Sequence, residues 1–130
     1  MSKVVVYFIE DEAAVREVMI KYFAILLSET IRLNSEFIFF SNATEANARK
    51  RRDGWPDVVV CDHGLPNQSG ADLLREWRSA EWHGSFLLYS GGNCPMNDEE
   101  LAGLDASFRI KNDPRRLTDW VETTVRCLMP

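Results

Sequence analysis

The stretch PDVVVCDHGLPNQSG, Pro56 to Gly70, holds the pattern on which the fold reading turns. DVVVC, Asp57 to Cys61, is short, apolar and β-branched, with Pro56 before it and Asp62 after it. Such a run predicts a strand buried on both faces, as in a parallel sheet. A polar loop follows, and a helical pattern runs from Gly70 to Arg78. The unit is therefore strand, loop, helix.

The same unit recurs on both sides. Toward the amino end, KVVVYFI (Lys3 to Ile9) predicts a first strand. A pattern without glycine or proline predicts one long helix from Ala13 to about Leu33. EFIFF (Glu36 to Phe40) predicts a second strand. Asn42 with Glu45 resembles a capping box opening a helix that ends near Gly54. Toward the carboxyl end, SFLLYS (Ser85 to Ser90) predicts a fourth strand. Asn97 with Glu100 opens a short helix to Leu104, and SFRI (Ser107 to Ile110) predicts a fifth strand. Asp113 suits an N-cap and Pro114 a first helical position. The last helix then runs to about Leu128, with an apolar stripe through Leu117, Val121, Thr124 and Leu128 and with Trp120 near its edge.

Alternating strands and helices imply a parallel sheet covered by helices on both faces. Right-handed crossovers restrict it to a doubly wound α/β architecture. The expectation is a five-stranded flavodoxin-like three-layer sandwich of order 2-1-3-4-5, one domain over residues 1–130. Composition agrees: 45% apolar and 27% charged residues are ordinary for a globular chain. A net charge of −5 argues against a broad nucleic-acid footprint, and the basic run Arg49 to Arg52 is expected to end a helix. The odd, scattered cysteines Cys61, Cys94 and Cys127 suggest reduced thiols in a cytoplasmic protein. Val4 to Ile9 is too short for a signal segment or a membrane span.

In doubly wound sheets ligands bind beyond the carboxyl ends of the strands. Here those ends carry Glu10, Asp11 and Glu12, then Asp62, then Ser90, Gly91 and Gly92, then Lys111. With strands one, three, four and five adjacent, these groups share one small volume. Two like charges about 4 Å apart repel by about 1 kcal/mol in water and about 4 kcal/mol at an effective dielectric of 20. Such a carboxylate cluster invites a hard divalent cation, Mg²⁺ or Mn²⁺. A lysine opposite suits a phosphate, and a hydroxyl followed by glycines lets backbone N–H groups approach. Together these are the parts of a phosphoryl-transfer site.

VYFIEDEAAVRE, PDVVVCDHGLPNQSG, LLYSGG and ASFRIKND resemble the successive blocks of response-regulator receiver domains, and the likeness covers Lys3 to Leu128. Pro66 and Gly70 stand four and eight residues after Asp62, as in that family's phosphoacceptor block. The resemblance implies that Asp62 accepts the phosphoryl group and that Asp11, Asp62 and the backbone carbonyl of Gly64 hold Mg²⁺, with Glu10 acting through water. It implies that Ser90 and Lys111 bind the phosphoryl group, and that Ser90 and the aromatic Phe108 shift on switching. A core role for Phe108 is an equal alternative. His63 and His83 are expected to be loop residues, because the phosphoryl donor histidine belongs to a partner.

The sequence has five places that stand out against the family pattern. Glu10 replaces the commoner aspartate. Asn112 replaces a proline after Lys111, so that peptide bond is expected to be trans. Gly64 and Gly92 leave the acceptor without a side chain to hold an attacking water or to shield the phosphoryl group. The run YFAILL, Tyr22 to Leu27, is apolar enough to be expected in the core, with a partner surface as the alternative.

The implied function is a stand-alone two-component or phosphorelay receiver, not an enzyme beyond its own phosphorylation and dephosphorylation. Its donor would be a sensor histidine kinase or a histidine phosphotransfer protein. Its output would be a downstream protein bound on the face of the Asn97–Leu104 helix, the Ser107–Ile110 strand and the last helix, where Trp120 is a candidate contact. Direct nucleic-acid and membrane contacts are not expected; homodimerisation is open. Two rivals remain: a phosphohydrolase or flavin protein of the same sheet type, disfavoured by the lack of a Gly-rich first loop, and a receiver retained only for interaction.

Overall fold

Val58 to Asp62 form the middle strand of the sheet, and every one of these residues is buried. The computed structural model describes residues 3–111 and 114–129. Its elements are β1 (Val4–Ile9), α1 (Ala13–Leu26), α2 (Glu29–Leu33), β2 (Ser35–Phe40), α3 (Ala43–Asp53), β3 (Val58–Asp62), α4 (Gly70–Ser79), β4 (Ser85–Ser90), α5 (Asp98–Gly103), β5 (Ser107–Ile110) and α6 (Pro114–Leu128). The sheet order is β2-β1-β3-β4-β5 and every pairing is parallel. This is the flavodoxin-like arrangement read from the sequence.

Side chains alternate across each strand, so the central strands feed two cores. Tyr7, Ile9, Val59, Cys61, Phe86 and Leu88 face α3, α4 and α5. Val6, Phe8, Val58, Val60, Leu87 and Tyr89 face α1, α2 and α6. Both faces are covered, which explains why the strands read as unbroken apolar runs.

Local signals set most element ends. Asn42 and Asn97 accept hydrogen bonds from the Glu45 and Glu100 amides, the N-cap half of the expected capping boxes. Ser69 caps α4 in the same way. The Glu45 carboxylate takes the Ser41 amide, and that of Glu100 pairs with Arg75. Gly54 terminates α3 at φ 91°, and the basic run closes that helix, with Arg49 and Arg52 on Asp53. The Asp113 cap and the Lys111–Asn112 peptide lie outside the described residues.

Three expectations are corrected. The long first helix is two helices. Leu27 is extended, and Ser28 starts α2 by accepting from the Ile31 amide at 3.4 Å. The Ser28 amide donates to Glu122 of α6 at 2.8 Å, so the break is held from a distant element. It lets both Leu27 and Ile31 enter the core. The YFAILL run is not buried all round: Phe23 and Leu27 are, but Ile25 is 78% exposed. In α6 the buried stripe is Leu117, Thr118, Val121 and Val125, while Leu128 is exposed. A period of 3.6 favours position 125 over 124 once the helix axis is placed against the sheet. Trp120 is half-buried at the stripe's edge.

Gly70 is where α4 meets the end of β3. A Cβ there would overlap the Asp62 carbonyl oxygen and lie 2.8 Å from Leu88. Gly70→Ala should therefore destabilise the fold by about 1–3 kcal/mol through overpacking. Urea unfolding should show a lower midpoint with unchanged slope; an unaltered midpoint would contradict this packing.

Candidate functional site

Parallel register brings the strand ends level. Ile9 pairs with Cys61, Asp62 with Tyr89, and Ser90 with Ile110. The next residues therefore emerge on one edge of the sheet. Carboxylate oxygens of Glu10, Asp11 and Asp62 all lie within 4.8 Å of one another. Asp11 is exposed, whereas Glu10 and Asp62 are 0% and 4% exposed.

Lys111 spans this cluster. Its Nζ donates to Asp62 Oδ2 at 3.2 Å and lies 3.1 Å from Glu10 Oε1 and 3.8 Å from Glu12 Oε1. The Lys111 amide donates to the Ser90 carbonyl at 2.8 Å, tying the β5 end to β4. Asp62 Oδ1 accepts from the Gly64 amide at 3.2 Å. The Ser90 hydroxyl accepts from the Gly92 amide at 3.2 Å and borders the same groove as Asp62. That groove, about 750 Å³, runs between the strand ends, α1 and α6, with Val15, Val18, Met19 and Leu117 on its apolar wall.

Of the residues singled out in the sequence, Glu10, Asp11, Asp62, Gly64, Ser90 and Lys111 come together. Phe108 does not; it packs partly buried on the α3, α4 and α5 side. His63 lies in the β3–α4 loop, and its Nδ1 is buried without a hydrogen-bond partner among the described residues. His83 is exposed, as a loop residue should be. The three cysteines are free thiols.

Two features went unread in the sequence. Glu10, expected to act on a metal through water, is engaged by protein donors. Tyr89 Oη donates to Oε1 at 2.9 Å, and the Glu12 amide donates to Oε2 at 3.0 Å. Tyr89 is the second. A phenol inside an aliphatic strand needs a buried partner for its hydroxyl, and that is the available signal.

The electrostatics follow from burial. Desolvation pushes the Glu10 carboxyl up, and the Asp62 charge adds to this; the Glu12 amide, Lys111 and Tyr89 pull it back. Burial by itself would lower the Lys111 ammonium, but Glu10 and Asp62 outweigh it and raise the lysine. Burial, with the charges of Glu10 and Asp62, pushes the Tyr89 phenol well above its ordinary value. The Cys61 thiol beneath is raised by the same causes, which marks it as an inert core thiol.

The donor set is all oxygen and strongly anionic, which suits a hard cation such as Mg²⁺. Glu10, Asp11 and Asp62 are the side chains close enough together to share such an ion.

Comparison with known proteins places the architecture. No family model matches the chain, and no curated protein matches it in sequence. Solved structures do. The receiver domain of Francisella response regulator 1452 superposes with a TM-score of 0.77 at 16% identity, covering 98% of this chain and 100% of that one. The BeF3-activated N-terminal receiver domain of Klebsiella pneumoniae RstA gives 0.72 at 22% identity, covering 94% and 98%. A CheY-like receiver domain protein from Methanospirillum hungatei JF-1 gives 0.74 at 16% identity, covering 96% and 95%. Across nearly its full length the chain thus has the receiver-domain fold, with an acidic pocket at its strand ends. Among the described residues no helix is long and apolar enough to cross a membrane.

Raised values for Tyr7, Tyr89 and Lys111 share one sign. Each group holds its proton more tightly folded than unfolded. The associated stability is full below the ordinary values of 10.0 and 10.5 and is lost as pH rises through the folded ones. Stability should therefore fall steeply above about pH 10. Ultraviolet titration should show the Tyr7 and Tyr89 tyrosinates appearing only together with unfolding. Their ionisation in a still-folded chain would refute the burial argument.

Proposed function

We propose that the chain, as a single domain over residues 1–130, is a Mg²⁺-dependent receiver that accepts a phosphoryl group on Asp62. The donor is a phosphohistidine of a sensor histidine kinase or a histidine phosphotransfer protein. The observation that carries this reading is the Lys111 ammonium bonded to a nearly buried Asp62, inside a carboxylate cluster on a receiver fold.

The chemistry is a displacement at phosphorus. A carboxylate oxygen of Asp62 forms the new P–O bond, the P–N bond to the donor imidazole breaks, and its electron pair returns to the ring. Catalysis of this kind is mainly positioning and charge neutralisation. Mg²⁺, or Mn²⁺ in its place, supplies neutralising charge when held by Asp11, Asp62 and the Gly64 carbonyl. Lys111 supplies the second positive charge, Ser90 a hydroxyl, and the Gly64 amide a fixed donor at the acceptor carboxylate.

Phosphorylation adds about −1.5 to −2 charges and three acceptor oxygens. Ser90 and Lys111 then turn toward the new group, and Phe108 responds in the neighbouring core. The face of α5, β5 and α6, with Trp120 at its border, changes its preference for a downstream protein. In this reading the domain works in the cytoplasm and has no catalytic output beyond its own phosphorylation and dephosphorylation.

Incubation with acetyl phosphate and Mg²⁺, followed by intact mass, should show one added phosphoryl group on the wild type and none on Asp62→Asn. Unmodified wild type would defeat the proposal, and Asp11→Asn should raise the Mg²⁺ requirement. A Cβ at Gly64 would lie 3.9 Å from both Asp62 carboxylate oxygens, whereas one at Gly92 meets nothing within 4 Å. A side chain at 64 therefore reaches the acceptor. Gly64→Asn should alter the lifetime of the phosphorylated form, and equal lifetimes would show that glycine there is neutral.

A further inference from the structure

Tyr89 touches both charged partners of Asp62. Its Oη donates to Glu10 Oε1 at 2.9 Å, and its ring centroid lies 5.8 Å from Lys111 Nζ. Tyr89 is 2% and Glu10 0% exposed, so their hydrogen bond is shielded from bulk water, while Lys111 stays partly exposed. Glu10, itself fully buried, has both oxygens engaged: Oε1 by Tyr89 and Lys111, Oε2 by the Glu12 amide. Three of its roughly four acceptor sites are thus taken by protein donors. Glu10 is thereby suited to bracket the lysine.

We propose that Tyr89 is a positioning residue: through Glu10 and its own ring it holds Lys111 on Asp62, so that Glu10 acts on phosphoryl transfer through the lysine and not through the metal. This rests on the reading of Asp62 as phosphoacceptor, and it assigns Glu10 a task different from that of Asp11. The glutamate's length is part of the device. Glu10 leaves the end of β1 and has to meet a hydroxyl projecting from β4, across the width of β3. An aspartate would have one methylene less with which to reach it.

The test uses the full chain as wild type, Tyr89→Phe, Glu10→Gln, Lys111→Ala and the double variant Tyr89→Phe/Lys111→Ala. Retention of a cooperative urea transition qualifies each variant for comparison, and Glu10→Gln carries the test should Tyr89→Phe not fold. The first readout needs no phosphoryl chemistry. Lys111 is acetylated with N-hydroxysuccinimidyl acetate, and its rate is read by peptide mass against Lys21 of the same molecule. Tyr89→Phe should expose Lys111 to acetylation about five-fold faster, as expected for losing one hydrogen bond. An unchanged rate overturns the proposal.

The second readout is uptake from acetyl phosphate across a Mg²⁺ titration. Tyr89→Phe and Glu10→Gln should each lower the rate at saturating Mg²⁺ by about five-fold or more while leaving the half-saturating Mg²⁺ concentration in place. In the Lys111→Ala background, Tyr89→Phe should have no further effect, because the two act as one unit. A raised Mg²⁺ requirement in Glu10→Gln, or additive losses in the double variant, overturns the proposal. Should wild type take up no phosphoryl group, the phosphoacceptor reading fails, and the acetylation result alone decides whether Tyr89 positions Lys111.

Discussion

The ammonium of Lys111 lies 3.2 Å from Asp62 and 3.1 Å from Glu10, and the rest of the site depends on that placement. Two nearly buried carboxylates beside an exposed third are unfavourable without compensating charge. The lysine provides it at Asp62 and Glu10, and Asp11 remains exposed. A carboxylate pocket with one fixed cation and one open side is suited to take a second cation and a transferring anionic group. An isolated acidic patch lacks that asymmetry.

Parallel strand pairing makes the placement possible. Glu10, Asp62, Ser90 and Lys111 come from four different strands and are scattered along most of the chain. Only a shared register brings them to one edge. At the amino ends of β3 and β4, a cluster of indoles fills the space beneath. Trp82 Nε1 donates to the Pro56 carbonyl, and Trp77 Nε1 to Asn47, each at 2.9 Å. The rings of Trp55, Trp77 and Trp82 pack on one another. Trp77 and Trp82 are buried and Trp55 is 41% exposed, so aromatic area packs this end of β3 and β4.

The α1–α2 break shows how distant parts of the chain set local geometry. Ala13 to Leu33 lacks both glycine and proline, and Ser28, the α2 N-cap, is a local signal for a break that a serine alone does not enforce. The stop comes from Glu122 in α6, which takes the Ser28 amide, and from a core that accommodates Leu27 and Ile31 together. One outcome is that Val18, Tyr22 and Ile25 share the outer side of α1 instead of entering the core.

Much of this was legible in the amino-acid order alone. Apolar runs with β-branched residues declared the strands. Asn42 with Glu45 and Asn97 with Glu100 declared helix starts, because a side chain and an amide three residues apart interact locally. The acids, the serine and the lysine at the strand ends declared which groups gather at one edge, since their spacing follows the βα repeat. Tertiary structure decided the rest: the break at Ser28, the choice of Val125 over Thr124 as a core residue, and the union of Tyr89 with Glu10. Those features join residues on different elements. A one-dimensional pattern records the period of an element; which neighbour it meets is settled only when the helices and sheet pack.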